Sequence, residues 1–257
     1  MNQEFAKIEK RVRIQLSHEL NCDPDDFLKE ENVITTPIVH EGRRRFSDQA
    51  YFLQMATFGG NAVISANEAL HPWLYEWVKD KKGFWLFEQH NFFELETQLR
   101  KHGFKMAQTH HMFLPDPGPS DMNTDLQIKW LEQEDISQYY GKPEFSNALC
   151  DKFYPQRPDV LAVVALDRDV IMGMAGCSAD APKMWQIGID VLPAYRGRGI
   201  AKILVSLLKD EVFRRGALPY YGTSLSNLAS WKTALACGFI PTWIEVESRE
   251  IEDHNFV

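Results

Sequence analysis

Residues 195–204 read YRGRGIAKIL. Gly197 and Gly199 stand two apart between Arg196 and Arg198, and Ile200, Ile203, Leu204, Leu207, Leu208 and Val212 then come at helical spacing. Glycine is a poor helix residue, but it accepts torsions that aim successive N–H groups in one direction, with no Cβ in the way of an approaching group. Those N–H groups are also the unsatisfied first donors of the helix starting near Arg198, where the helix dipole favours an anion. The chemistry demanded is a phosphate or pyrophosphate, with Arg196 and Arg198 adding mobile positive charge at the rim. The chain has no Walker A motif and no complete GxGxxG.

Other reactive residues are less decisive. Asp190, in IGIDVLP, faces the same way as Gly188 and Gln186 if that run is a strand, and is the first candidate for a general base. The polar face of a strand near its end accounts for it equally well. Glu245, Glu247 and Glu250 are further candidates, and an exposed edge strand explains them too. His110 and His111 are adjacent in a strand-like run, so they point to opposite faces and do not chelate one ion; no metal site is expected. Cys22, Cys150, Cys177 and Cys237 form no CxxC pattern and read as reduced thiols, with Cys237 packed. Arg43, Arg44 and Arg45 read as a solvated loop, and Trp73, Trp77 and Trp85 as core or domain interface.

The elements that position these residues come from pattern. The chain has 257 residues, 44% hydrophobic and 12% aromatic, enough for two ordinary domains with real cores. A net charge of −8 argues against nucleic-acid or anionic-membrane partners. The N-terminus lacks an apolar signal region and no run of about 18 apolar residues occurs, so a soluble, cytoplasmic protein is expected. LPDPGPSDMNTD (114–125) carries three prolines around Gly118 and reads as a linker, unable to join a helix or central strand. It sets the expected organisation as a first domain at 1–114, a linker at 115–124 and a second domain at 125–257. In the first domain, strands are expected at 50–58, 61–66 and 84–87 and helices at 67–80 and 92–104. In the second, three antiparallel strands (160–166, VIMGMAGCS, 184–192) precede a helix, a short strand (PYYGTSL), a helix (SNLASWKTALACGF) and a closing strand. This is an α/β or α+β domain. Gly103-Phe104 and Gly238-Phe239 lie 135 positions apart, and the order of elements at that offset suggests a duplication.

YRGRGIA also fits the R/Q-x-x-G-x-G/A signature of the GCN5-related N-acetyltransferases (GNAT), through Arg196, Gly199 and Ala201. IGIDVLP resembles that family's central strand. SNLASWKTALACGF resembles its last helix, with Asn227 eleven residues before the Gly238 of a GF pair; Gly173 fits as well. The resemblance covers about 125–257, and the first domain looks like a degenerate copy, giving two similar domains in tandem. It implies a mixed, mostly antiparallel central sheet flanked by helices, and acetyl-CoA as co-substrate without a metal. Backbone groups of Arg196, Gly197, Arg198, Gly199, Ile200 and Ala201 would hold its pyrophosphate. Ile189, Asp190 and Val191 would splay from the neighbouring strand and pair with the pantetheine arm, and Asn227 and Ser230 would line the channel. The implied activity is direct acetyl transfer to a primary amine of a small molecule or protein. Where the family often has a proton-donating Tyr, four residues before the Gly of the GF pair, this chain has Ala234. Tyr220 or Tyr221 are substitutes, Tyr221 being preferred, or no acid is needed. That gap motivates a second reading, a catalytically weak CoA-binding regulator. A tandem transferase using aminoacyl-tRNA or fatty acyl-CoA is a third, against which the acidic balance speaks for tRNA. Neither the acceptor nor the oligomeric state is readable.

Overall fold

A computed structural model describes residues 3–120 and 122–251. The strands are β1 (Val33–Thr35), β2 (Leu53–Thr57), β3 (Ala62–Ala66), β4 (Phe104–Met106), β5 (His110–Pro115), β6 (Gln127–Glu132), β7 (Asp159–Asp167), β8 (Val170–Ala181), β9 (Met184–Val191), β10 (Leu218–Ser224) and β11 (Phe239–Glu250). The α-helices are α1 (Gln3–Leu20), α2 (His71–Trp77), α3 (Gln89–Arg100), α4 (Gln133–Ile136), α5 (Ile200–Arg214) and α6 (Leu228–Ala236). The chain divides into two compact units. One comprises the described residues of 1–8, 44–46 and 112–241, the other those of 9–43, 47–111 and 242–257.

In the unit containing 112–241, the strands run in the order β6-β7-β8-β9-β10-β5, with the start of β11 beyond β5. The pairs β6/β7, β7/β8 and β8/β9 are antiparallel, and β9/β10 is parallel. The Arg168 turn joins β7 to β8 with a positive φ of 56°. On one face, Ile200, Leu204, Val205, Leu208 and Val212 of α5 bury against Leu161, Val163, Ala175 and Ile187 of the sheet, at the spacing that one helical stripe requires. On the other, Ile136, Phe145, Ala148 and Leu149 cover Ala162, Val164 and Met174. Both faces are therefore buried, which explains the near-continuous apolar run of β7.

In the other unit, β1 pairs parallel with β3, β3 antiparallel with β2, and β2 antiparallel with the later part of β11. Its core joins Leu53, Met55, Ile64, Leu74, Trp77, Leu95 and Leu99.

Three sequence expectations are corrected. Residues 84–87 are not a strand but lie in a 3-10 helix, Gly83–Phe87. A short aromatic run carries no periodicity that separates the two, and here only Leu86 is fully buried while Trp85 is exposed. The proposed duplication thereby loses a strand opposite β10, and NAVISA is strand β3 where the offset needs the Gly197–Gly199 turn. Pro115 does enter a strand, as the last residue of β5. The segment after Pro115 is strapped down: Asp116 N–H donates to the Gly238 carbonyl, and Ser120 N–H and Oγ reach the Asp210 carboxylate at 3.0 Å. Arg43 and Arg44 are buried, not solvated, at 8% and 2% exposure.

Candidate active site

The loop between β9 and α5 is built by its glycines. Gly197 and Gly199 have φ of +77° and +78°, and Gly199 is the N-cap of α5. An L side chain at either position would meet no atom within 4 Å, so the requirement is conformational rather than steric. Residues 196–199 are exposed, and the first N–H groups of α5 have no intrahelical acceptor. Arg196 Nε donates to the Val191 carbonyl at 3.0 Å, and Arg198 donates to the Ala194 carbonyl while lying over the Tyr195 ring.

Next to this loop the sheet parts. The β9/β10 register runs from Met184↔Leu218 to Ile187↔Tyr221, and beyond it both strands continue without pairing to each other. A cavity of about 810 Å³ opens there. It is lined on one side by Arg196, Ala201, Asn227, Ser230 and Tyr221, and on the other by Ser178, Gln186, Asp159 and Arg157. Tyr221 and Gln186 belong to opposite faces, because Tyr221 pairs with Ile187 and adjacent strand residues alternate. The cleft therefore passes through the sheet.

Asn227 caps α6, accepting from Ser230 N–H at 3.1 Å. Tyr221 is 2% exposed, and its hydroxyl lies 2.7 Å from Ser230 Oγ. Burial raises its pKa above the ordinary tyrosine value, so it stays protonated at neutral pH. Tyr220 is fully buried and donates to Asp180, away from the α6 side. Asp190 lines the cavity, but both its oxygens are engaged: they accept from Asn147 N–H (2.8 Å), Asn147 Nδ2 (2.7 Å) and Ala148 N–H (2.9 Å). Its observed task is to clamp the 146–149 segment, which differs from the free base expected of it. Glu245, Glu247 and Glu250 do not line this cavity; Glu245 accepts from Trp243 Nε1 at 2.8 Å. All four cysteines are free, and burial pushes Cys150, also on the cavity wall, up to about 12, which makes it a poor nucleophile. Among the described residues no group of three or more His, Cys, Asp or Glu could hold a metal, and no helix is long and apolar enough to cross a membrane.

Compared with known families, residues 126–239 match the acetyltransferase (GNAT) family. Residues 126–239 are a GNAT acetyltransferase domain. Solved structures resemble the chain more loosely. A GCN5-related N-acetyltransferase from Kribbella flavida shares 15% identity at a TM-score of 0.46, over 63% of this chain and 65% of its own. A protein from Novosphingobium aromaticivorans assigned to the GNAT family shares 19% at 0.45, over 57% and 66%. An aminoglycoside N-acetyltransferase in complex with CoA shares 22% at 0.36, over 48% and 92%. The chain thus spans slightly less than two thirds of the first two. No curated protein matches significantly.

The GNAT domain also holds site residues that sequence reasoning missed. Gly176 and Gly188 are cross-strand partners in β8 and β9. A Cβ on Gly188 would lie 1.9 Å from the Asn147 carbonyl oxygen, and one on Gly176 2.3 Å from that of Ala148. The backbone of 147–148 crosses the sheet at this glycine pair, and Asp190 holds it there. Isolated glycines inside strand patterns were the available signal, since they mark close approach of another backbone. Gly173 works similarly beneath α5, where a Cβ would sit 2.9 Å from the Asp190 carbonyl and 3.3 Å from Ile200 Cγ2. Arg157 and the buried Asp159 carry no motif, so nothing in the sequence marked them.

Proposed function

We propose that the GNAT domain transfers an acetyl group from acetyl-CoA to an amine within a ternary complex. The observation that carries this reading is the cleft through the parted β9/β10 edge, with an exposed, glycine-capped helix N-terminus at one end and a polar chamber at the other. Backbone N–H groups of 196–201 would hold the pyrophosphate, and the unpaired edge of Ile189–Val191 would take the pantetheine arm as an extra strand. Acetyl-CoA supplies the activated thioester. A β9 N–H directed at its oxygen would stabilise the charge developing there, which is where preorganised donors matter most.

The protein's own proton chemistry centres on Tyr221. Its Oη is protonated, faces the α6 wall of the cleft, and hydrogen-bonds Ser230. It passes its proton to the departing thiolate and regains one through Ser230 Oγ. Ala234 thus leaves no gap, because the donor sits on β10 instead of the helix. This favours the transferase over the non-catalytic CoA-binding reading. Asp190 acts as a positioning residue, and the ammonium loses its proton through water lining the polar chamber. The small aminoglycoside enzyme acts on an amine, and an amine acceptor suits the carboxylates in this chamber.

Calorimetric titration with acetyl-CoA tests the reading, succeeded by thiol release with a panel of amines. One-site binding at micromolar concentration with turnover of at least one amine supports transfer. Binding without turnover of any amine replaces it with the regulator reading, and no heat refutes both.

A further inference from the structure

The chamber on the Gln186 side of the cleft has a charge pattern that selects among amines. Asp159, Ser178, Gln186 and Tyr220 are in register across β7, β8, β9 and β10, so their side chains share one face. Asp180, 1% exposed, accepts from Ser178 Oγ at 2.8 Å and from Tyr220 Oη. Two arginines approach this buried carboxylate. Arg44, 2% exposed, lies 5.6 Å over the Tyr220 ring and 5.5 Å over Phe46. Arg157 lies 5.0 Å over Phe46 and 5.8 Å from the Tyr154 ring centroid.

Arg157 is only partly used. Nη1 makes a long 3.4 Å contact to Asp180, and among the described residues nothing accepts from Nε or Nη2. Its side chain is 23% exposed and lines the cavity. Aromatic rings hold the guanidinium plane, Asp180 holds one corner, and the remaining N–H groups are left for the cavity. That is a preorganised fork, and its natural complement is a planar, bidentate anion. Asp159 and Asp151 line the same chamber and complement a positive charge.

We propose that the acceptor carries both an ammonium and a nearby carboxylate, as an amino acid does, and that Arg157 binds the carboxylate. This rests on the acetyl-transfer reading. Arg157 reaches Asp180, which also accepts from Ser178 in the Ser178–Gln186 row, and the parted edge begins two residues beyond Gln186 along β9 at Gly188, a rise of about 7 Å along the strand. An amine poised about 3–3.5 Å from an acyl carbon at that edge leaves room for a carboxylate a few bonds away to meet the fork. A simple polyamine would instead bring positive charge against Arg157 and leave its donors unpaired.

The test compares standard L-amino acids with their carboxamides as acceptors, alongside acetyl-CoA calorimetry, in the wild type and in Arg157→Gln and Arg157→Lys. The expected result is a preference for the acid by at least about 100-fold in kcat/KM, since a donor set built for an anion rejects the analogue lacking it. Arg157→Gln should erase the preference while acetyl-CoA heat is unchanged, and Arg157→Lys should restore part of it, as a point charge without the fork. The wild-type comparison decides even where a variant fails to fold. Equal use of acid and amide, or a preference that survives Arg157→Gln, overturns the carboxylate site while leaving acetyl transfer standing. Absent acetyl-CoA heat overturns both, and a panel that is inert except for phosphorylated amines transfers the fork to phosphate and overturns the amino-acid assignment.

Discussion

Replacing Gly188 by Ala probes the clamp that shapes the proposed acceptor chamber. The new Cβ would lie 1.9 Å from the Asn147 oxygen, where ordinary contact begins near 3.4 Å, so the 147–148 backbone must retreat by about 1.5 Å. The three bonds to Asp190 now span 2.7 to 2.9 Å, and that retreat takes them beyond hydrogen-bonding range. Bonds to a charged acceptor contribute about 1.5–3 kcal/mol each when shielded. Asn147 is exposed and water replaces part of the loss, so about 1 kcal/mol each is the appropriate scale. Ala in a strand recovers about 0.5–1 kcal/mol relative to Gly. The net loss is about 2–2.5 kcal/mol, read by urea unfolding, with a rise in acceptor KM because the segment lines the cavity. Asp190→Ala removes the acceptor of the same three bonds from the other side, so the double variant should fall short of additivity by at least about 1 kcal/mol. A Gly188→Ala protein within about 0.5 kcal/mol of the wild type, or a fully additive cycle, refutes the clamp.

Gly199→Glu places a side chain and a negative charge at an open position with φ +78°; it should cost about 1–2 kcal/mol of stability yet weaken acetyl-CoA at least about 100-fold by calorimetry, and undiminished affinity would remove the loop from the binding site. Tyr221→Phe should lower kcat by at least about 10-fold with little change in KM, and should lack the alkaline decline of kcat expected of the wild type as Tyr221 loses its proton; full kcat in the variant would exclude Tyr221 as donor. Arg214 and Arg215 hold the Glu211 carboxyl at about 2, below the usual 4.5, so the stabilisation is complete above pH 4.5 and is lost as pH falls toward 2. Glu211 and Arg215 are half-buried, while Arg214 and Glu132 are exposed and screened by solvent, so Arg215→Ala should cost about 0.5–1 kcal/mol at pH 7 and flatten that part of the acid limb, measured by melting temperature against pH; an unchanged acid limb would show the ion pairs to be idle.

Much of the GNAT domain is legible because its signals are local. The alternation and length of β7 to β9, the stripe from Ile200 to Val212, and the turn at Gly197 and Gly199 each depend on residues close in sequence. Residues 84–87 mislead because a short aromatic run states its hydrophobicity but not its period. The burial of Arg44 is invisible in sequence, since of what neutralises and stacks on it only Phe46 is local, while Asp180 and Tyr220 come from β8 and β10. Asp190 does lie on the polar face of β9 and toward the cleft, as its alternation implies, but its partners lie more than 40 residues earlier in the chain.

The glycines show where that boundary falls. Gly197 and Gly199 are needed for the sign of φ, a property of the chain itself, and a sequence pattern exposes them. Gly173, Gly176 and Gly188 lie within β8 and β9 and none has a positive φ; they are needed for what passes over them. An alanine at Gly199 would strain a turn that nothing crowds, whereas one at Gly188 would sit comfortably in its strand and displace another segment. Gly197 and Gly199 shape the loop at the proposed cofactor end, Gly173 lets α5 sit close to the sheet, and Gly176 and Gly188 admit the 147–148 backbone on the proposed acceptor side. On the proposed reading, substrate choice is written in tertiary contacts, through Asp190, the 146–149 segment and Arg157, while the pyrophosphate loop is written in seven consecutive residues. A sequence that declares its donor so plainly and its acceptor so poorly is what this division of labour produces.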